Sequence, residues 1–424
     1  MRDPEALSSE PAAEQSASRS FRDRHATMLS LLLPAMLLGL GRGFTVPVLP
    51  ALALSFGASV AEAGLLIIAP MLGALAVTLP TGYLIDRVGR RKLLIAAPLL
   101  TSASAFLVLR ATSYPELLAY LSLGGIAQQM WQMSRLAAIA DSGPQQRRGR
   151  QITGMASAGR VGMLVGPLAG GIIGELVGLR VPFAIYGVTA LAAAVPMYLL
   201  MPETAPGLLA RQRGESLEET DTSWSKLLTF PVLVLFVAQF FANVGRGGAI
   251  GHGGGYLIFA VYAFGVGPAV LGTLNFIVAV LGIPIMLAGG QVMDRFGRKR
   301  TIVPASFLVG TGLAFMAFTA AADLSFAYFV VAFMWINIGV SAMAGSMQTI
   351  GTDVAPPEAR GKFFGVIRFI AGAGSLANPV AFSTSTYLVA GAAGFATAFG
   401  IMAGSALFTS FVVGTMLRET LRRR

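Results

Sequence analysis

The chain has 424 residues, of which 55% are hydrophobic and only 12% charged, and its mean hydropathy is +0.71. That balance excludes an ordinary soluble globule, and the absence of cysteine excludes a disulfide framework or a thiolate metal site. The net charge of +11 would suit nucleic acid, but the location of the basic residues argues against that partner.

Residues 1–26 are polar and low in complexity. They lack the apolar core of a secretory signal and read as a disordered cytosolic tail. A helix needs about 20 apolar residues to cross a bilayer. Residues 27–201 hold six such candidates, starting near Thr27, Ala61, Leu93, Pro115, Gln151 and Val181. A charged linker, residues 202–229, follows. Residues 230–417 hold six more, starting near Phe230, Pro268, Thr301, Ser325, Phe363 and Phe395. A basic tail, residues 418–424, ends the chain. The expected fold is an all-α integral membrane protein with twelve transmembrane helices in two pseudo-symmetric six-helix bundles.

Lys and Arg set the orientation, because positive residues stay on the cytosolic side. Basic clusters lie in the first tail, at "DRVGRRK", "QQRRGRQ", the central linker, "DRFGRKR", "EARGK" and "RETLRRR". They fall on alternate connections, and the intervening loops contain only Arg110 and Arg180. Both termini are therefore expected in the cytosol and the protein in the cytoplasmic membrane. The positive charge is accounted for as a topology signal, and nucleic acid is not an expected partner.

The two halves repeat each other. "GYLIDRVGRRK", Gly82 to Lys92, and "GQVMDRFGRKR", Gly290 to Arg300, share G-x-x-x-D-R-x-G-R-[RK]-[KR] after the second span of each half. After each fourth span, "DSGPQQRRGR" and "DVAPPEARGK" place Asp seven residues before an Arg-Gly pair. Six is even, so the second unit enters the membrane as the first does. That is the parallel repeat of one transporter architecture, with substrate sites near the midplane between the halves.

On these residues the chain resembles the major facilitator superfamily, and the resemblance covers nearly everything after the first tail. It implies a gating role for the duplicated loop: Gly82, Asp86, Arg87 and Arg90 in one half, Gly290, Asp294, Arg295 and Arg298 in the other. A carboxylate at a helix end pairs with nearby Arg and with the positive N-terminus of a neighbouring helix. The competing reading of the basic residues is topology alone.

"GRVGMLVGPLAGG", Gly159 to Gly171, resembles the fifth-span motif of drug antiporters in that superfamily. Its small residues, Gly162, Gly166, Gly170 and Gly171, permit close helix packing, and Pro167 removes a backbone donor. Ordinary glycine-mediated packing explains the same pattern. Two family features are missing. The fourth span has no Arg before its glycines, and Arg42 stands where many cationic-drug antiporters carry an acid.

Five arginines fall within spans: Arg42, Arg135, Arg160, Arg246 and Arg368. Arg42 lies fifteen residues beyond Thr27, about 22 Å into a core about 30 Å thick. Arg246 sits at a similar depth, and Arg160 is near the middle of its span. An arginine at the centre of a span costs about 2.5–3.5 kcal/mol on insertion scales, so it should face a wet cavity or an anion. Arg135 and Arg368 lie close enough to the basic loops to snorkel outward.

Arg42 and Arg246 occupy Gly-Arg-Gly triplets in the first span of each half. Such a pair resembles the organophosphate exchangers of the superfamily. The expectation is that both bind one anionic group, since a guanidinium fork matches carboxylate or phosphate. Backbone carbonyls, water or end-of-span acids would satisfy them equally well. Arg160, Asn243, His252 and Gln132 are further candidate substrate contacts. Six glycines follow Arg246 within nine residues, which suits either a broken helix or close packing.

No nucleotide loop, metal cluster or nucleophile–base set is present, so no catalytic residue, metal or cofactor is expected. The expected function is a secondary transporter of a small organic solute, anionic by the arginines. The alternative is a proton-coupled exporter of drugs or metabolites. Its partners would be the substrate, a coupling proton or exchanged anion, and the lipid bilayer, with the protein as a monomer.

Overall fold

The computed structural model describes residues 30–141, 145–201, 203, 229–246, 254–344, 346–354, 360–417 and 419. Among these there are helices and no strands. In the first half they are α1 (Ser30–Ser55, interrupted by a 3₁₀ turn at Val46–Val48), α2 (Val60–Val88), α3 (Arg90–Arg110), α4 (Tyr114–Asp141), α5 (Gln145–Leu176) and α6 (Val181–Leu200). In the second half they are α7 (Phe230–Arg246), α8 (Gly255–Phe264), α9 (Pro268–Phe296), α10 (Arg298–Ala321), α11 (Phe326–Ala342), α12 (Ser346–Val354), α13 (Arg360–Leu388) and α14 (Ala392–Thr415). α7 with α8 forms the seventh span, and α11 with α12 the tenth. The first tail, the basic tail except Glu419, and all of the linker except Glu203 and Thr229 lie outside the described residues, as does His252.

Local chemistry sets the helix ends. Pro47 and Pro50 bring no N–H donor, and the 3₁₀ turn of α1 lies at that point. Ser59 and Glu62 form a reciprocal capping box at the start of α2, with Ser59 N–H donating to Glu62 Oε2 at 2.8 Å. Between α2 and α3 the chain turns through Gly89 at φ 100°, and between α9 and α10 through Gly297 at φ 111°. Only glycine adopts such angles without steric cost.

In the first half, α4 packs on α2 and α3, and α3 on α6; in the second, α10 packs on α14 and α11, and α7 on α13 and α14. Between halves, α5 runs along α9 and α2 along α13. The buried apolar residues sort into three clusters. One joins Leu52, Leu66, Leu117 and Phe183 of the first half to Phe259, Leu274, Phe329 and Phe382 of the second. It lies at the end away from the basic loops. Toward the basic loops, Leu31, Leu94, Trp131 and Met197 cluster within the first half, and Leu235, Ile302, Phe363 and Val413 within the second. The halves are thus joined by an apolar core at one end and keep separate cores at the other.

Candidate functional site

The glycines of the fifth span bring α1 and α5 into backbone contact. A Cβ on Gly162 would overlap the backbone of Met36 and Leu40, one on Gly166 that of Leu40 and Gly43, and one on Gly170 that of Phe44. The other side of the same run meets the second half: Gly171 lies against Pro268, and Gly272 against Pro167. Gly41 packs on Tyr186 and Thr189 of α6. With glycine on both sides, α1 is clamped at mid-span, and Arg42 sits within the clamped stretch.

Arg42 lines a cavity of about 150 Å³ inside the first half. The walls come from α1, α2, α3, α4 and α6. They are mostly apolar, with Leu49, Leu66, Ile67, Met71, Val108 and Phe183 prominent. Polar groups are few: Thr45, Ser104, Gln128 and Tyr186 share the lining with Arg42, and among the described residues no carboxylate belongs to it. The Thr45 hydroxyl donates to the Arg42 carbonyl at 2.9 Å, and the Ser104 hydroxyl to the Tyr120 carbonyl at 2.6 Å. Small residues keep these helices close, since a side chain on Gly125 would overlap the Pro70 backbone and one on Gly73 that of Ser122.

Arg246 does not line this cavity. It lies at the end of α7, where Nη2 donates to Asn243 Oδ1 at 3.4 Å. The same oxygen accepts from Ser375 Oγ at 3.3 Å, and Asn378 Nδ2 donates to the Val244 carbonyl at 2.6 Å. Asn243 and Asn378 therefore stitch α7 to α13 within the second half. Gln132 accepts from Arg135, whose guanidinium also lies 5.7 Å from the centre of the Trp131 ring. Snorkelling toward the basic loop is not what Arg135 does. Side chains on a helix lean toward its N-terminus, which for α4 is the far end, so the guanidinium folds back into the span. Arg160 is exposed and touches the Met286 sulfur of α9 in the other half. Arg368 is exposed on α13. Tyr256 and Phe259 belong to the shared apolar core, with Tyr256 stacked on Phe399 at 5.8 Å.

At the duplicated loops, Arg87 is exposed beside the Tyr83 ring, and Arg295 is exposed on α9. Asp294 is 73% exposed and 3.7 Å from Arg298; the Asp86 side chain lies outside the described set. Among the described residues, nothing lies within 4 Å of a Cβ placed on Gly290, and for Gly82 only Met133 of its own half is near.

Two groups in these loops were not singled out from the sequence. Glu203 accepts from the N–H groups of Arg90 and Arg91 at 2.9 and 3.2 Å. Glu419 accepts from those of Arg298 and Lys299 at 2.9 and 3.1 Å. Each carboxylate, arriving after the last span of its half, caps the start of the third span of that half, where unpaired donors and the helix dipole favour negative charge. The arginines match too: Arg90 Nη1 donates to the Ile85 carbonyl, and Arg298 Nη1 to that of Met293. The available signal was the Glu-Thr pair repeated after the sixth and twelfth spans.

Comparison with known proteins agrees with this architecture. The family model described as Major Facilitator Superfamily matches residues 31–379. Multidrug resistance protein 2 of Bacillus subtilis is 26% identical over 304 residues, covering 70% of this chain and 74% of that protein. Quinolone resistance protein NorA of Staphylococcus aureus is 26% identical over 205 residues, and the match spans 48% of this chain and 52% of NorA. Among solved structures, a D-xylose-proton symporter aligns with a TM-score of 0.74 at 18% identity, covering 93% of this chain and 98% of that one. A bacterial homologue of the iron transporter ferroportin in an inward-facing state aligns at 0.67 and 15%, with 93% and 98% covered. These likenesses establish a fold of twelve spans in two bundles. With its duplicated loop signature, two six-helix halves and a matched model over most of its length, the chain belongs to the Major Facilitator Superfamily and is a multi-pass membrane transporter, not an enzyme.

Proposed function

We propose that this transporter is secondary active and moves a small amphipathic organic anion, with Arg42 as the principal contact for a carboxylate or phosphate. One observation carries the proposal: a mid-span arginine opens onto an apolar-walled cavity whose lining, among the described residues, contains no carboxylate. A charge held there without a counter-ion is costly, and a ligand anion that pairs with the fork offsets the cost. The apolar walls suit a ligand with a hydrophobic body. Thr45, Gln128 and Tyr186 offer further polar contacts. Arg246, Asn243, Gln132, Arg160 and His252 are proposed as contacts elsewhere on the path. The basic loops face the cytosol in this reading, the protein works as a monomer, and a proton or an exchanged anion drives it.

A second reading, a proton-coupled efflux antiporter for drugs or metabolites, is favoured by the names of the relatives and by the Gly162–Gly171 run. Ligand-induced thermal stabilisation separates the two. Panels of matched anionic, neutral and cationic amphiphiles should stabilise the purified protein selectively in the anionic arm, and Arg42→Ala should abolish that shift. Stabilisation by neutral or cationic compounds that survives Arg42→Ala would sink the anion site and put the drug-efflux reading first.

A further inference from the structure

Among the described residues, three carboxylates cap the first turn of a helix they do not belong to. Glu203 caps α3 and Glu419 caps α10, each from within the same half. Glu175 differs. It belongs to α5, yet its Oε2 accepts from the N–H of Ala269 in α9, across the boundary between halves, at 2.9 Å.

The start of α9 is built to receive that acceptor. Its N-cap is Gly267, which has no side chain to cap with, and no side-chain cap bond comes from it. Pro268 follows and has no N–H, so Ala269 offers the first free donor. A Cβ on Gly267 would overlap the Glu175 carboxylate. Near it, a second bond crosses between halves at the same end: the Tyr262 hydroxyl donates to the Ala58 carbonyl at 2.7 Å. Both bonds sit at the end where the halves share an apolar core.

A cap within one half moves with that half and survives any rocking of one half against the other. A cap between halves must break when that end opens. We propose that Glu175 is a gating residue for the end opposite the basic loops: its carboxylate holds α9 while that end is closed and releases it as the halves part there. The bond is exposed, so water competes for both partners and the latch opens at modest cost, as a gate requires. This goes beyond the anion reading and does not depend on it.

The chain has no cysteine, so introduced pairs are its only thiols. Spin labels at Leu54→Cys and Leu388→Cys report the far end, and labels at Val88→Cys and Phe296→Cys the basic end, by electron–electron distance measurement. Glu175→Ala should raise the far-end-open population about fivefold, with a matching rise of basic-end-closed molecules. Gly267→Ala, whose methyl group displaces the carboxylate while leaving Glu175 in place, should shift it the same way. Glu175→Gln, which keeps an acceptor, should shift it less. Glu203→Ala should lower Tm and leave both distance distributions where they were. Unchanged distributions in folded Glu175→Ala and Gly267→Ala overturn the proposal. So does equal broadening at both ends, or a shift in Glu203→Ala as large as that in Glu175→Ala.

Discussion

The two ends of the molecule are held differently. Away from the basic loops, one apolar cluster runs through both halves, and among the described residues two cross-half hydrogen bonds rim it. At the basic end each half closes its own core, and Arg87, Asp294 and Arg295 of the loop signatures are exposed while Arg90 is buried within its own half. Packing within a half is by backbone contact at glycine, as between α1 and α5. Contact between halves at the basic end, when it forms, has charged loops to work with. Rigid halves with one greasy end and one polar end are what a rocking carrier needs: the core of each half stays intact while the junction changes.

The largest expected effect tests the rigidity of the halves. Gly166→Leu drives a side chain into the backbone of Leu40 and Gly43. Overpacking of this kind costs about 3 kcal/mol or more when backbone, not a side chain, must move. Folded yield and Tm should fall sharply. Gly290→Leu, with no described atom within 4 Å of its Cβ position, should leave both nearly unchanged. Equal losses in the two variants would erase the contrast between clamped and open glycines.

Next in size is the contrast between the repeat-related arginines. Arg42 lines the cavity and Arg246 bonds within the α7–α13 seam. Charge-assisted bonds contribute about 1.5–3 kcal/mol, so Arg42→Ala should weaken anion binding on the order of 10- to 100-fold. Arg246→Ala should weaken it less and lower Tm more. Binding isotherms with an anionic amphiphile check this, and an equal loss at both positions would return the pair to a shared site.

The twelve spans, the repeat and the family were legible because hydropathy, basic-loop alternation and the duplicated signature all depend on local sequence. Helix starts at the basic loops were less so. The apolar pattern places the third and ninth spans at Leu93 and Thr301, whereas α3 and α10 begin at Arg90 and Arg298. Charged residues enter the first turn there because a distant carboxylate satisfies it, and a contact spanning 113 residues leaves no mark on local periodicity. The Arg42 cavity was half legible. Depth and charge marked the arginine, but which helices wall it depends on side-chain packing across five spans. The matching glycine triplet around Arg246 suggested a symmetric partner, and the structure gives that arginine different neighbours.

The capping carboxylates sharpen the comparison further. Glu203→Ala and Glu419→Ala remove matched caps at matched positions, and loss of a cap costs about 0.5–2 kcal/mol. Thermal unfolding should show similar drops for both, with neither changing anion affinity. A large drop at only one would mean that the symmetry of the loops is geometric and not energetic.

The smallest effect belongs to Tyr262. Tyr262→Phe removes one hydroxyl donor to the Ala58 carbonyl and keeps the ring against the shared core. A neutral hydrogen bond contributes about 0.5–1.5 kcal/mol, so the far-end-open population should rise about two- to tenfold, at the low end if water replaces the donor. The same spin-label pairs read it out. If the ring dominates the contact, Tyr262→Phe will match the parent while Tyr262→Ala opens the far end. The shared apolar core would then set the closed state, with the hydroxyl fixing only the register of α8 on the loop that carries Ala58. If Tyr262→Phe alone opens that end, the polar rim sets the balance and the core beneath it tolerates parting. That outcome would reverse the view of which part of the closed end is structural and which is the gate.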